Sequence, residues 1–414
     1  MNTFRFIHAA DLHLGSPFQG LALKDEEIAA RFARATRDAF SALVRRAIDE
    51  KVNFVIVAGD VYDGEWRDNS IGLFFNRELA RLVKAGIAVF LLKGNHDADS
   101  VVTRSITLPA EVHNFDTRKP QSIQIDGVKV VLHGQGFADR WIATNMATIY
   151  PQRINGLFNI GVLHTSLNGR PPHANYAPCS LQDLHAHGYD YWALGHVHEY
   201  EVVSDDPYVI FPGNLQGRNI RETGAKGAVL VTVEDGRVAS IERVIVDEAR
   251  WSSLTIDVTG LDDLIGVLHA IEKQVRDVVT AADERLVALR LHLVGTTRFR
   301  AWLVANRSLV VDEVQGACQR VHPDVWLEKL VIDVVPPARI EVHATTGAGL
   351  DLETLLETVE RDPQTLEQAT LLVADIVAKL PGGLGAAELP LGEDLVTLLA
   401  EARELVLHRA AEVD

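Results

Sequence analysis

Cysteine is nearly absent from this chain. Its 414 residues include two, Cys179 and Cys318, far apart in sequence. They allow no disulfide framework and no paired-cysteine metal site, and such usage fits a reducing, cytoplasmic setting. Long apolar runs are also missing. No stretch of about 18 apolar residues occurs, so no membrane-spanning helix and no membrane partner are expected. The opening MNTFRFIHAADLHLG reaches polar residues at once and lacks the apolar centre of a secretory signal. The GxxxxGK[ST] phosphate-binding loop does not occur, so any ATP-driven step needs another polypeptide. Basic residues are in deficit: 40 Lys and Arg against 57 Asp and Glu leave a net charge of −17. A protein that grips nucleic acid by its surface is more often basic. Here any hold on DNA or RNA would come from bound metal, a local patch or a partner.

What is present is an ordinary globular composition, long enough for two or three domains. In the first 215 residues a short β-branched or apolar run repeatedly ends in polar residues. FRFIHA leads to Asp11, NFVIVAG to Asp60 and IAVFLLKG to Asn95. FNIGVL leads to His164, YDYWALG to His196 and YVIFPG to Asn214. Such runs read as buried strands. Between the early ones, Ile28, Phe32, Ala35, Ala39, Leu43 and Ala47 recur at helical spacing, as do Ile71, Phe74, Phe75, Leu79 and Leu82. Strand and helix in alternation predict a layered α/β domain, whose functional groups gather at the carboxyl ends of strands. Residues 226–246 read as a hairpin about Asp235-Gly236.

Three segments are expected: an α/β domain over 1–247, a small α+β domain over 248–337, and a mainly helical, acidic segment over 338–414. Residues 339–414 carry 15 Asp and Glu against 5 Lys and Arg, so well over half of the net charge of −17 lies there. An apolar stripe runs through Leu395, Leu398, Leu399, Ala402, Leu405 and Val406.

The polar residues at the strand ends form an ordered set: Asp11-x-His13, Gly59-Asp60, Gly94-Asn95-His96-Asp97, His164, and Gly195-His196-x-His198. Alone, Asp-x-His is a chance pattern, Gly-Asn-His-Asp a turn and Gly-His-x-His a loop. Together, all at strand ends, they supply carboxylates, an amide oxygen and imidazoles. That mix suits divalent Mn, Mg, Fe or Zn and excludes a thiolate site. Residues two apart on extended chain point to one side, which would aim Asp11 with His13 and His196 with His198. The preceding glycines would let the backbone turn sharply. Seven ligands are too many for one ion with an open position but fit two ions sharing a carboxylate. Two divalent ions about 4 Å apart clamp a phosphate ester and activate water for in-line attack. With two carboxylates the site would carry roughly +2, enough to draw a phosphodiester to an acidic protein.

This ordered set resembles the calcineurin-like metallophosphoesterases over residues 4 to about 247. IHAADLHLGSPF is similar to the opening of the SbcD-type DNA repair exonucleases. NYAPCS, YDYWALGHVHE and FPGNLQGRNIRETGAKG are most like the YhaO-like bacterial subgroup. The resemblance implies a four-layer β-sandwich core with flanking helices, a cap domain and a helical C-terminal segment. It implies that Asp11, His13 and His198 hold one metal, that Asn95, His164 and His196 hold the other, and that Asp60 bridges them. It casts His96 as the catalytic group facing the scissile phosphate, suited by an ordinary pKa near neutrality. Asp63 matches the position that orients this histidine in the phosphatase branch. It further implies manganese, a DNA substrate, a partner resembling the SMC-like coiled-coil ATPases, and a homodimer.

Other residues carry weaker expectations. Asp97 reads as holding its turn. His8 and His133 read as core or supporting groups, and His185 and His187 as the end of a helix. Arg218 and Arg221 are candidate phosphate contacts. Arg298, Arg300 and Arg307 with Phe299 and Trp302 could bind backbone and stack on bases, or form the basic face of an ordinary helix. His173 lies in a loop that could line the cleft. The leading expectation is a two-metal DNA exonuclease or endonuclease. The alternatives are a phosphodiesterase of small nucleotides or other small diesters, and a scaffold that has lost the chemistry. A protein phosphatase fits less well, because GDVYDGE lacks the arginine that follows the second aspartate in that branch.

Overall fold

The computed structural model describes residues 3–16, 26–62, 69–99, 107–168, 176–337 and 352–379, with residues 395, 398, 399, 402, 403 and 406. The chain divides into two compact units. One holds residues up to Ser252 with Glu284–Ala288, the other Ser253–Asp283 and everything from Leu289 onward.

The apolar runs of the first unit are strands. In chain order they are β1 (Thr3–Ala9), β2 (Phe54–Ala58), β3 (Ala88–Leu92), β4 (Val112–Asn114), β5 (Gln121–Gln124) and β6 (Val130–Gly134). Then come β7 (Phe158–His164), β8 (Tyr191–Gly195), β9 (Glu201–Asp205), β10 (Tyr208–Phe211), β11 (Gly227–Glu234) and β12 (Arg237–Ile245). They form two six-stranded sheets, ordered β12-β11-β1-β2-β3-β4 and β5-β6-β7-β8-β10-β9. In the first, β1 to β4 run parallel and the β11–β12 hairpin adds antiparallel to β1. In the second, β6, β7, β8 and β10 run parallel between antiparallel edges.

Between the sheets lies an aromatic core of Phe4, Phe6, Phe54, Phe90, Phe158 and Tyr191. Phe6 stacks on Phe54 at 4.9 Å, and Tyr191 meets Phe6 edge-on at 5.3 Å. Large rings facing inward from both sheets bury much apolar area per residue and set the spacing of the sandwich. The outer face of the first sheet is covered by α1 (Glu26–Asp49) and α2 (Asn69–Lys84). Phe32, Ala39, Leu43 and Ala47 of α1, and Phe75 and Leu79 of α2, are almost fully buried, as their helical spacing predicts. The outer face of the second sheet packs under Phe137, Tyr150, Leu184 and Trp192, from the loop before β7, the short helix Leu181–Ala186 and β8 itself. The domain is therefore layered α/β, helices outside and two sheets within.

The second unit holds most of a three-stranded sheet, β13 (Ala249–Asp257), β14 (Leu286–Thr296) and β15 (Val325–Val335), with helices Leu264–Ala282, Arg300–Ala305 and Arg307–Val321. The sequence predicts one helix over 297–321, but the structure breaks it at Asn306, whose backbone is non-helical. Trp251 at the head of β13 belongs to the first unit, where its indole donates to the Gly217 carbonyl. Helices Leu352–Glu360 and Pro363–Ala378 follow, with Leu371 and Leu372 more than three-fifths exposed. Among the described residues no helix is long and apolar enough to cross a membrane.

Candidate metal centre

Every strand-end residue singled out by the sequence, where described, converges at one end of the sandwich. The local backbone is not what alternation predicts. Asp11, His13, Asp60 and His196 have φ of 51°, 42°, 54° and 102°. These are left-handed conformations that non-glycine residues adopt at a cost of order 1–3 kcal/mol each. The aim of Asp11 and His13 thus comes from a tight left-handed turn. That turn is zipped to the next strand end by Asp11 N–H to Gly59 O, His13 N–H to Asp60 O and Leu14 N–H to Val61 O, at 2.9–3.0 Å. His196 likewise leaves the extended conformation, and it and His198 enter different donor groups.

The glycines also have a different reason from the expected one. Gly59 does sit at φ 99°, but Gly94 and Gly195 are not left-handed. A Cβ on Gly94 would strike the Asp60 carboxylate, and one on Gly195 the Ala58 carbonyl. They are glycine because the strand ends must touch.

Two donor groups result. In one, Asp11, His13 and His198 bring one ligand atom each within 4.8 Å of one another; in the other, Asp60, His164 and His196 do. His13 Nε2 and His198 Nε2 face each other at 3.2 Å, and Asp11 Oδ1 is 3.8 Å from His198 Nε2. His164 Nε2 lies 3.0 Å from Asn95 Oδ1 and 3.4 Å from Asp60 Oδ2. Ligands roughly 2.0–2.2 Å from a common ion stand about 3–4 Å from one another. The donors therefore fit two ions, with nitrogen and oxygen ligands throughout.

The tautomers agree. His164 Nδ1–H donates to the Ala58 carbonyl at 2.9 Å, which aims Nε2 at the centre, where a metal ion would take the place of its proton. Burial would push the His164 imidazole down, but the Asp60 and Asp11 charges push it up to about 9. Burial alone would raise Asp60, yet the His164 charge and hydrogen bond, with His13 and His96, hold it well below the usual carboxylate range. Burial dominates at Asp11, whose carboxyl is raised. The pocket thus calls for positive charge at its centre, which divalent cations supply.

Supporting groups hold this geometry. Asp97 accepts from the backbone N–H groups of Val61, Tyr62 and Gly94 at 3.0–3.2 Å, tying the ends of β2 and β3 together. Burial, then the Asp60 charge, push its carboxyl up to about 6. His96 is the second residue of the short helix α3 (Asn95–Asp99). Its N–H donates to Asp60 Oδ1 at 3.0 Å, and its ring meets His13 edge-on at 5.1 Å. His8 is buried between the Tyr191 hydroxyl and the Leu194 carbonyl, 3.0 Å from each. His133 bonds Ser122 and Asn159; His187 ends helix Leu181–Ala186 with its backbone N–H on the Leu184 and His185 carbonyls, and its Nε2 lies on the Ala147 carbonyl.

The main surprise is Glu222, which sequence reasoning passed over. It accepts from His198 Nδ1–H at 2.8 Å. Burial opposes its charge, but the His198 bond and the Arg218 guanidinium hold it well below the usual carboxylate range. Arg218, a candidate phosphate contact in the sequence, bonds Glu222 through Nη2 at 2.8 Å. Arg221 is exposed on the same loop. Arg300 and Arg307 donate to the carbonyls of Val334 and Leu330, while Arg298 is exposed and Phe299 stacks on Trp302 at 4.7 Å. Asp63, His173 and Leu405 lie outside the described residues.

Residues 4–200 match the calcineurin-like phosphoesterase family, and residues 251–335 match the middle domain of metallophosphoesterase YhaO. The chain is 33% identical over 373 residues to the uncharacterized metallophosphoesterase YhaO of Bacillus subtilis, spanning 86% of this chain and 90% of that one. It belongs to the YhaO family of metallophosphoesterases. More distant likeness joins this YhaO-family chain to the DNA double-strand break repair proteins Mre11 of Sulfurisphaera tokodaii and Methanopyrus kandleri. They are 22% and 25% identical, over 65% and 62% of this chain and 70% and 60% of theirs. As a family member it is a hydrolase of phosphoester bonds with two divalent metal ions, and the paired donor groups are where they fit.

Proposed function

We propose that this YhaO-family protein is a manganese-dependent DNA nuclease. Asp11, His13 and His198 would hold one ion and Asn95, His164 and His196 the other, with Asp60 as the ligand the two ions would share. The observation that carries the reading is the pair of donor groups side by side at one end of the sandwich. Bound there, two divalent ions would neutralise a phosphodiester and activate water against it.

The protein's own groups do the rest. Asp60 takes the His96 N–H on Oδ1, which fixes His96 at the rim beside His13. From there the His96 imidazole faces the scissile phosphate and gives a proton to the leaving oxygen. Asp63 is assigned the orienting of His96 from its place in the sequence, three residues after Asp60, and exposed Arg221 meets flanking phosphate.

DNA is favoured as the substrate by two features. One is the likeness to DNA double-strand break repair proteins. The other is an aromatic step beside the centre: Tyr176 meets the His196 ring at 5.1 Å, and exposed Trp141 meets Tyr176 at 5.0 Å. Aromatic faces beside a phosphate site suit stacked bases. The described C-terminal helices are acidic and expose Leu371, Leu372 and Leu355. They are the proposed docking element for an SMC-like ATPase, since the chain has no phosphate-binding loop of its own.

The test is a Mn²⁺-dependent assay comparing linear duplex DNA, single-stranded DNA and bis-p-nitrophenyl phosphate. Cleavage of DNA supports the reading. Activity confined to the small diester would replace it with a small-molecule phosphodiesterase.

A further inference from the structure

Glu222 sits in the loop joining β10 to β11, 24 residues beyond His198. It is buried, and both its oxygens are fully engaged. Oε1 accepts from His198 Nδ1–H and from Arg218 Nη2, each at 2.8 Å. Oε2 accepts from the Asn214 amide at 2.9 Å and the Arg218 backbone N–H at 2.8 Å. Arg218 Nε adds a longer contact shared by both oxygens at 3.3 Å, so the roughly four acceptor positions of a carboxylate are all taken.

We propose that Glu222 is the positioning residue of the Asp11–His13–His198 metal position, with Arg218 as its charge partner. An ionised carboxylate only accepts, so at 2.8 Å it fixes the proton on His198 Nδ1 and leaves Nε2 as a lone pair facing His13. The bond also sets the rotation of the ring. A carboxylate behind a ligating imidazole raises its basicity beyond what a peptide carbonyl does. That makes the two metal positions unequal. Behind His164 stands the Ala58 carbonyl, a neutral acceptor. Behind His198 stands a full charge, tempered by Arg218.

The loop that carries Glu222 is itself held. Gln216 accepts from the N–H groups of Glu248 and Ala249 at 2.9 and 3.1 Å, and the Trp251 indole donates to Gly217 at 3.0 Å. The aim of His198 is thereby set from the head of β13, far along the chain from any ligand.

The inference rests on the two-metal reading but not on DNA as substrate. Its test is titration of the metal-free, full-length protein with Mn²⁺ alone, followed by electron paramagnetic resonance and calorimetry. Wild type takes up two ions and ends in a spin-coupled spectrum. Glu222→Gln is expected to bind one ion, at the position of Asp60, His164 and His196, as wild type does. It should lose roughly 10–100-fold in affinity for the other, the usual effect of removing such a partner. An uncoupled manganese signal then persists where wild type is already coupled. Arg218→Gln, which keeps the Glu222–His198 bond, should hold that affinity well above that of Glu222→Gln. Glu222→Gln with both affinities at wild-type values overturns the assignment. So does an equal loss at both positions, or an equal loss in Arg218→Gln, because either would place the effect in general loosening of the loop. A wild type that takes up a single ion overturns the two-metal reading, and the inference falls with it.

Discussion

The backbone N–H of His196 donates to both carboxylate oxygens of Asp11, at 2.9 and 3.1 Å. These residues follow β8 and β1, one from each sheet. Asp11 therefore joins the two sheets at the end where the donors meet, in addition to offering a ligand. Asp11→Asn keeps an acceptor for the N–H but loses the charge. Since removing a partner one bond further out already costs about 10–100-fold in metal affinity, this change should cost at least roughly 100-fold. Calorimetric titration with Mn²⁺ checks it. Unchanged affinity would remove Asp11 from the ligand set.

Gly195→Ala tests the reason given for its glycine. The added Cβ would strike the Ala58 carbonyl, which is backbone and cannot swing aside. We expect a loss of about 1–3 kcal/mol in stability, as for other overpacked sites, together with weakened Mn²⁺ binding, because β2 and β8 carry Asp60 and His196. Gly86→Ala is the control for left-handed strain, as nothing lies within 4 Å of its added Cβ. If Gly195→Ala were as stable as wild type, close approach would not be the reason.

Buried His8 gives a pH dependence with a definite sign. Burial lowers its pKa from 6.5 to about 3. Below about pH 6.5 the unfolded chain takes up a proton that the native state refuses. The contribution is therefore complete above pH 6.5 and is lost as pH falls toward 3, by about 1.4 kcal/mol per unit. In chelator, urea unfolding at pH 7 and pH 5 should differ by about 2 kcal/mol more in wild type than in His8→Gln. An equal pH response in both proteins would contradict this.

The strands and ligands were legible for a plain reason. β2, β3 and β8 are buried on both faces, so they appear as unbroken apolar runs, and β1 and β7 are mostly apolar, interrupted by Arg5, His8 and Asn159; each leads into a polar residue of the donor set. Edge strand β5, Gln121–Gln124, is mostly polar and short, and carries no such signal. The left-handed turns at Asp11, His13 and His196 were illegible because no glycine marks them; contacts between strand ends impose them. Glu222 and its pairing with Arg218 were passed over for a related reason. An arginine and a glutamate four apart in a loop do not reveal that a histidine 24 residues earlier lies between them and a metal position.

The aromatic step yields a prediction about the substrate. Trp141→Ala should raise KM for single-stranded DNA roughly tenfold, in line with one lost stacking contact. Steady-state cleavage of a short oligonucleotide measures it. A drop in kcat at constant KM would move Trp141 out of substrate binding.

His96 bears most directly on the central claim, since it alone is assigned to the chemistry without being assigned to a metal. The decisive measurement is cleavage of linear DNA by metal-free protein, by protein reloaded with Mn²⁺, and by His96→Ala reloaded to the same metal content. Metal-free protein should be inert, Mn²⁺ should restore cleavage, and His96→Ala should bind manganese normally yet lose about 10²–10⁴-fold in rate. Cleavage by His96→Ala at the wild-type rate would contradict the mechanism.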